Sequence, residues 1–160
     1  MNICILYHSQ TGITETFAKV IEESLRPAGH MVETIKLSTK NPVKQSSIRD
    51  KQVIEITNLP KSQSYDIMLF GGPVWAFGPS PVIVTAIQTY AHLRDMKCIP
   101  FVTMGFPFQC LGGNAAIRYM SRELRTKGAQ VMPGFICTRA HKDIQASMRK
   151  LSEEILQAIK

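Results

Sequence analysis

The apolar residues of this chain follow two different spacings, one typical of strands and one typical of helices, and segments of the two kinds alternate along the sequence. Nearly continuous apolar runs of about four to eight residues are typical of strands that are buried on both faces of a sheet. Together with one alternating segment, they predict five strands, over residues 2–7, 31–37, 66–70, 97–104 and 131–137. Between the strands, apolar residues recur every three or four positions, which is the period of an amphipathic helix. This period predicts four helices, over residues 13–27, 80–93, 113–127 and 141–159.

Strands that alternate with helices form a parallel sheet with right-handed crossovers and helices on both faces. A chain of 160 residues fits one domain, spanning 1–160. Residues 38–64 depart from the alternation because they are mostly polar, and we interpret them as a long connection with a short apolar run at 53–56. The sequence therefore predicts an α/β fold whose ligand site lies beyond the carboxyl ends of the central strands.

The loop after the first strand, residues 7–15, is rich in small hydroxyl residues. Ser9, Thr11 and Thr14 can each donate a hydrogen bond, and Gly12 can adopt backbone angles that a side chain disfavours. The helix that follows begins with unpaired N–H groups, which favour an anion. The loop contains no Lys or Arg and matches neither the nucleoside-triphosphate loop nor the dinucleotide fingerprint. It predicts a site for a terminal phosphate that is held and not transferred; the alternative is an ordinary helix cap by a threonine.

The loop after the third strand, residues 71–81, contains three clusters of Gly or Pro and the only tryptophan of the chain, Trp75. An aromatic side chain on a rigid loop at this edge of the sheet is placed to stack on a flat heterocycle. We expect Trp75 or Phe77 to contact such a ring. The alternative is that both side chains pack on the core beneath the loop.

The loop after the fourth strand, residues 104–114, also contains several glycines. Glycines allow the backbone to approach a flat ligand closely, and backbone N–H and C=O groups can match the polar edge of a heterocycle. Phe106 or Phe108 could cover the second face of the ring. The pair Gly112-Gly113 would approach the ligand or, alternatively, begin the next helix.

In order and position, these three loops resemble those of the flavodoxin family, and the resemblance covers nearly the whole chain. S-Q-T-G-I-T is similar to the family's phosphate loop and G-G-P-V-W to its ring-stacking loop; the continuation P-V-W-A-F-G also resembles a loop of flavodoxin-like quinone reductases. The resemblance implies a flavodoxin-like three-layer sandwich of strand order 2-1-3-4-5 that binds FMN non-covalently. The cofactor-binding residues that it implies are Ser9, Gln10, Thr11, Gly12, Ile13, Thr14, Pro73, Val74, Trp75, Ala76, Phe77, Gly78, Met104, Gly105, Phe106, Phe108, Cys110, Gly112 and Gly113.

Three kinds of protein fit this resemblance. The first is an oxidoreductase that uses FMN to pass electrons from a nicotinamide or protein donor to a small acceptor such as a quinone. The alternatives are a one-electron carrier flavodoxin and a flavin-binding interaction module without turnover. Carriers often have Gly after the stacking Trp, whereas this chain has Ala76, for which a left-handed backbone costs about 1 kcal/mol or more. We therefore expect two-electron behaviour, and we assign no catalytic residue because the loops contain no acid/base pair or nucleophile.

The net charge of +7, from 19 basic and 12 acidic residues, also departs from carrier flavodoxins, which are usually acidic around the flavin. Arg118, Arg122 and Arg125 are predicted to share one helical face, without interleaved aromatic residues that would suggest nucleic acid. The charge predicts a redox partner with an acidic face or a small-molecule acceptor; the alternative is an ordinary solvated surface.

The cysteines and the hydropathy of the sequence indicate the cellular compartment of the protein. The four cysteines are scattered, and Cys4, Cys98 and Cys137 lie in apolar runs, which predicts buried thiols and no metal site. No apolar run reaches the roughly 18 residues needed to span a bilayer, and the first strand leaves no room for a signal peptide. We expect a cytoplasmic protein without membrane insertion; the sequence leaves the oligomeric state open.

Overall fold

The computed structural model describes residues 1–61, 65–140 and 142–160. Within these residues the strands are β1 (Asn2–Tyr7), β2 (Met31–Lys36), β3 (Ile67–Trp75), β4 (Gly78–Pro79), β5 (Lys97–Met104), β6 (Gln130–Val131) and β7 (Phe135–Thr138). The helices are α1 (Ile13–Leu25), α2 (Pro81–Thr89), α3 (Gly113–Thr126) and α4 (Ile144–Ile159). No helix in the described ranges is both long and apolar enough to cross a bilayer.

The main sheet is parallel in the order β2-β1-β3-β5, and both β6 and β7 pair with the outer side of β5. The short strand β4 instead pairs antiparallel with the end of β3. Pro133-Gly134 separates β6 from β7, so the last strand, predicted over residues 131–137, is interrupted in the structure. The predicted five-stranded order 2-1-3-4-5 is confirmed.

Helices cover both faces of the sheet. Residues on successive strand positions point to opposite faces, and the buried side chains divide into two clusters: one under α2 and α3, the other under α1 and α4. As predicted, Cys4, Cys98 and Cys137 are buried free thiols. Burial raises the pKa of the Cys98 thiol to about 12, so this side chain is a neutral packing group at physiological pH.

Strand β3 continues to Trp75, beyond its predicted end at residue 70. Gly71 and Gly72 keep the parallel register with β5, opposite Phe101 and Val102. A Cβ atom at Gly71 would lie 2.0 Å from the Phe101 ring, so glycine is required there for the ring to pack across the strand. The expectation that residues 71–75 form a loop is therefore wrong, because these glycines serve packing and not a turn.

Other boundaries differ by a few residues. Helix α2 ends at Thr89 and not at residue 93, because Tyr90 adopts an extended backbone. The long connection has a little structure of its own, as predicted, in an antiparallel bridge between Thr39 and Ile56. Residues 62–64 of that connection and residue 141, the predicted start of the last helix, lie outside the described residues.

Candidate functional site

A cavity of about 550 Å³ opens beyond the carboxyl ends of the central strands, and all three predicted loops contribute to its wall. The predicted site residues that line it are Gln10, Thr11, Ile13, Thr14, Pro73, Val74, Trp75, Ala76, Phe77, Met104, Gly105 and Phe106. The predicted residues that do not line it are Ser9, Gly12, Gly78, Phe108, Cys110, Gly112 and Gly113. The lining residues that the sequence analysis missed are Gln45, Thr103, Leu111 and Arg139.

At one end of the cavity, helix α1 begins without a side-chain cap. Gly12 is the N-cap residue, with φ of 92°, and its N–H donates to the Ser9 hydroxyl oxygen at 3.1 Å. The N–H groups of Ile13, Thr14 and Glu15 have no hydrogen-bond partner in the described part of the chain. The alternative of a threonine cap is therefore not what the structure has, and this helix start can accept an anion.

The first turn of α1 is tied to the sheet by a hydrogen bond between two threonines. Thr14 is buried, and its hydroxyl oxygen lies 2.7 Å from that of Thr103 in β5. Thr103 is itself buried and is one of the lining residues that the sequence analysis missed. This bond fixes the helix start relative to the end of β5.

Glu15, the one carboxylate of the predicted loops, does not line the cavity. It lies 2.8 Å from the Lys36 ammonium and 3.2 Å from that of Lys19. The hydrogen bond from Lys36, followed by the one from Lys19, lowers the pKa of the Glu15 carboxyl. No Asp or Glu is among the described residues that line the cavity, so its wall carries no negative side chain.

Ala76 and Phe77 form the two-residue turn between β3 and β4. Their φ angles are 47° and 63°, and a hairpin turn with two positive φ angles is of type I′, which prefers Asn and Gly. A left-handed backbone costs roughly 1–2 kcal/mol for a residue with a side chain, so this turn stores strain beside the cavity. Ala76 therefore already has the left-handed backbone that the sequence analysis expected to be costly. The cost of adopting this backbone is no longer a reason to expect two-electron behaviour of the flavin.

The turn presents one aromatic side chain and the strand before it buries another. Phe77 is 62% exposed, and its ring lies parallel to that of Phe106, with 6.1 Å between the centroids. Trp75 is only 4% exposed and meets the His8 ring edge-on at 5.1 Å. Phe106 lines the cavity, whereas Phe108, 65% exposed, does not. Phe77 and Phe106 are therefore the exposed aromatic side chains of the cavity wall, whereas Trp75 lines it from a buried position.

Gly112 and Gly113 lie at the start of α3, which is the alternative that the sequence analysis gave for this pair, and neither lines the cavity. Gly112 is the N-cap residue of this helix, with φ of 111°. A Cβ atom at this position would lie 2.8 Å from the Cα of Phe77, so the glycine also allows the aromatic turn to approach. Cys110, on the same loop, is exposed and not packed in the core.

His8 connects the end of β1 to the start of α2. Its Nδ1 lies 2.8 Å from the Ser80 hydroxyl oxygen, which also accepts a hydrogen bond from the Ile83 N–H and caps α2. The pKa of His8 is lowered to about 4, mainly by burial and further by the charge of Lys36. At neutral pH the imidazole is therefore uncharged, and its Nδ1 shares a hydrogen bond with the Ser80 hydroxyl.

Flavodoxin 1 from Bacillus cereus, in its oxidised form, superposes with a TM-score of 0.67 over 98% of each chain at 18% identity. The chain has the flavodoxin fold. A two-electron reduced flavodoxin from Megasphaera elsdenii matches with a TM-score of 0.65 at 22% identity, over 97% of this chain and 98% of its own.

A short-chain flavodoxin associated with a non-canonical PDU bacterial microcompartment matches with a TM-score of 0.63 at 14% identity, over 100% of this chain and 99% of its own. No protein-family model and no curated protein sequence matches the chain significantly. The full-length matches confirm the resemblance to flavodoxins at the level of the fold. Within the described residues, no group of three or more His, Cys, Asp or Glu side chains is placed to hold a metal ion.

Proposed function

We propose that this protein binds FMN and acts as an electron carrier. The observation that carries the proposal is one cavity with two different ends: an uncapped helix start at α1 and an exposed pair of parallel aromatic rings, Phe77 and Phe106. A ligand that fits both ends has a terminal anion and a flat ring. FMN has these two parts, and the cavity lies at the edge of the sheet where open α/β folds bind ligands.

The helix end suits a phosphate. Ile13 and Thr14 line the cavity, and their N–H groups have no other hydrogen-bond partner in the described ranges. Oriented N–H donors and the helix dipole both stabilise a phosphate. Thr11 lines the same end and can donate a hydroxyl hydrogen bond.

The aromatic end suits the ring. Phe77 and Phe106 are exposed and nearly parallel, with 9° between their planes, so a flat heterocycle can stack on either ring. Gly105 lies between Met104 and Phe106 in the sequence and also lines the cavity. Its backbone offers an N–H and a C=O to the polar edge of the ring. When FMN is bound it supplies the electron-transfer chemistry, and these residues bind it and exclude water from its faces.

One observation favours a carrier over the oxidoreductase that the sequence analysis placed first: solved proteins that match over nearly the full chain include several flavodoxins. Among the described lining residues, Arg139 is the only Asp, Glu, His, Lys or Arg side chain, and a guanidinium does not exchange protons at neutral pH. The nearby His8 is held neutral by burial, and its Nδ1 is engaged with Ser80. The site therefore offers groups that bind a flavin, and the flavin supplies the redox chemistry in a carrier and in an oxidoreductase alike.

The mouth of the cavity offers a docking surface for a partner protein. Exposed apolar side chains lie on the two loops beside the cavity, namely Phe77, Phe106, Phe108 and Leu111. The chain carries a net charge of +7, and Arg118 is exposed on α3, which begins just after Leu111. A partner with an acidic face matches this charge. The cytoplasmic location and the single domain stay predictions.

Anaerobic titration of the FMN-loaded protein with NADH and NADPH, with and without a quinone, tests this function. A carrier accepts electrons slowly from either nicotinamide and rapidly from a flavoprotein reductase. We expect no appreciable NAD(P)H consumption when quinone is added to the protein alone. Rapid, sustained consumption without a reductase would contradict the carrier and support the oxidoreductase.

A further inference from the structure

Arg139 brings a positive charge to the cavity from a distant part of the chain. It follows β7 directly, and its backbone N–H donates to the Met104 carbonyl at 2.8 Å, which anchors it beside the end of β5. Its side chain lines the cavity and has no ion-pair partner among the described residues. Because no carboxylate lines the wall, this charge is available to a ligand.

The face on which Arg139 leaves the sheet follows from strand alternation. Phe135 and Cys137 pack in the cluster under α1 and α4, whereas Ile136 packs in the opposite cluster. Arg139 lies two positions after Cys137, and its backbone continues the hydrogen bonding to β5. Its side chain therefore leaves on the same face as α1.

The same face holds the start of α1. Thr103 is paired with Cys137 across the sheet, and its hydroxyl is hydrogen-bonded to Thr14 in the first turn of the helix. The ends of β5 and β7 thus lie against the helix start whose N–H groups face the cavity. The positive end of the α1 dipole and the guanidinium of Arg139 therefore border the same cavity on the same face of the sheet.

We propose that Arg139 binds the terminal phosphate of the ligand together with the start of α1. The proposal rests on the proposed FMN site and adds to it a cation that the loop of residues 7–15 lacks. A guanidinium donates two parallel hydrogen bonds to a phosphate and keeps its charge at any physiological pH. Arg139 therefore makes the site selective for the phosphorylated form of the flavin.

A competing role for Arg139 is to stabilise negative charge on the reduced ring. The two roles differ in what they predict for the redox potential. A phosphate carries the same charge in both oxidation states of the flavin, so a residue that binds only the phosphate changes affinity without changing the potential. A residue that acts on the ring changes the affinity for one oxidation state more than for the other, and a tenfold difference moves a two-electron potential by about 30 mV.

The test compares Arg139→Gln, Arg139→Lys and the matched control Arg149→Gln, which removes an exposed charge from α4. The dissociation constants of oxidised FMN and of riboflavin are measured for each, together with the midpoint potential of bound FMN. We expect Arg139→Gln to weaken FMN about ten- to a hundredfold, which is the range for hydrogen bonds to charged groups, and to leave riboflavin and the potential unchanged. Arg139→Lys should recover part of the loss, and Arg149→Gln should bind FMN like the parent.

Equal weakening of FMN and riboflavin, a shifted potential with unchanged affinity for oxidised FMN, or no effect would each overturn the proposal. Inorganic phosphate keeps the test decisive if the parent chain binds neither flavin, an outcome that would instead refute the FMN site. Phosphate should then raise the Tm of the parent and of Arg149→Gln, and raise that of Arg139→Gln less. Equal rises in all three proteins would also overturn the role of Arg139.

Discussion

Thr14 and Thr103 are 89 positions apart in the sequence, and their hydroxyl oxygens lie 2.7 Å apart in the fold. Both side chains are buried, and they join the first turn of α1 to the end of β5. The helix start proposed to bind phosphate is therefore held by the same strand that leads into the Phe106 loop.

Breaking the threonine pair should destabilise the fold. Thr14→Val keeps the shape of the side chain but leaves the Thr103 hydroxyl buried without a partner, which costs about 1–3 kcal/mol. Replacing both threonines with valine removes both polar groups, so the double variant should be more stable than the sum of the single losses predicts. Urea unfolding of the parent, the two single Thr→Val variants and the double variant, all without flavin, measures this difference. Strictly additive losses would show that the two hydroxyls do not stabilise each other.

Removing either exposed ring at the cavity should weaken FMN binding. Phe77→Ala and Phe106→Ala each lose a stacking surface worth about 0.5–1.5 kcal/mol, or roughly two- to tenfold in the dissociation constant. Phe108→Ala is the matched control, because Phe108 is equally exposed but does not line the cavity. Titration followed by flavin fluorescence measures the three constants. A greater loss in Trp75→Phe than in Phe77→Ala would return the stacking role to Trp75.

The stability of the chain should fall in mild acid because of His8. Its pKa is about 4 in the fold and 6.5 when unperturbed, so the unfolded chain binds a proton first as the pH falls. Above pH 6.5 His8 is neutral in the folded and the unfolded chain, so the free energy of unfolding keeps its full value. It decreases as the pH falls from 6.5 towards 4, because only the unfolded chain then binds the proton. This difference in pKa corresponds to at most about 3 kcal/mol.

Unfolding of the parent and of His8→Asn, compared at pH 7.5 and pH 4.5, isolates this contribution. The asparagine does not titrate, so the parent should lose more stability than the variant between the two values. Equal losses in both proteins would show that His8 does not carry the acid sensitivity.

Electron transfer with an acidic partner should slow as salt is added. The Debye length shrinks from about 10 Å at 0.1 M to about 3 Å at 1 M ionic strength, which weakens attraction between opposite charges. Arg118→Glu, near the Leu111 loop, should slow association more than Lys150→Glu on α4, which changes the net charge equally. Stopped-flow rates over a salt series check both effects. A rate that rises with salt would indicate docking between like charges.

The sequence was a good guide to the fold because its periods are clear. The apolar runs at residues 3–6 and 67–70 are buried on both faces, as continuous runs predict, and the alternation with helices predicts the parallel sheet. The strand order 2-1-3-4-5 was predicted from the resemblance of the loops to those of flavodoxins. The end of β3 was harder, because Gly71 allows Phe101 to pack across the strand and Gly72 allows Ile83 to approach it, and neither forms a turn. A glycine pair by itself does not distinguish these two uses.

The cavity was predicted less completely than the fold. The three motif loops do converge, but Thr103 and Arg139 are brought to them by strand pairing, which no local pattern encodes. One signal was available for Arg139: it directly follows the predicted last strand, at the edge where open parallel sheets bind ligands. The difference in exposure between Trp75 and Phe77 required the structure, because Trp75 is buried at the end of β3 and the turn exposes Phe77.

The most direct test of the FMN site is a comparison of FMN with riboflavin in the parent protein. Trp75 is the only tryptophan and lines the cavity, so its emission reports binding of either ligand. A site built on the start of α1 should bind FMN at least about tenfold more tightly than riboflavin, because only FMN carries the phosphate. FMN should also quench Trp75. Equal affinity for the two flavins, or no binding of FMN, would contradict the proposed site.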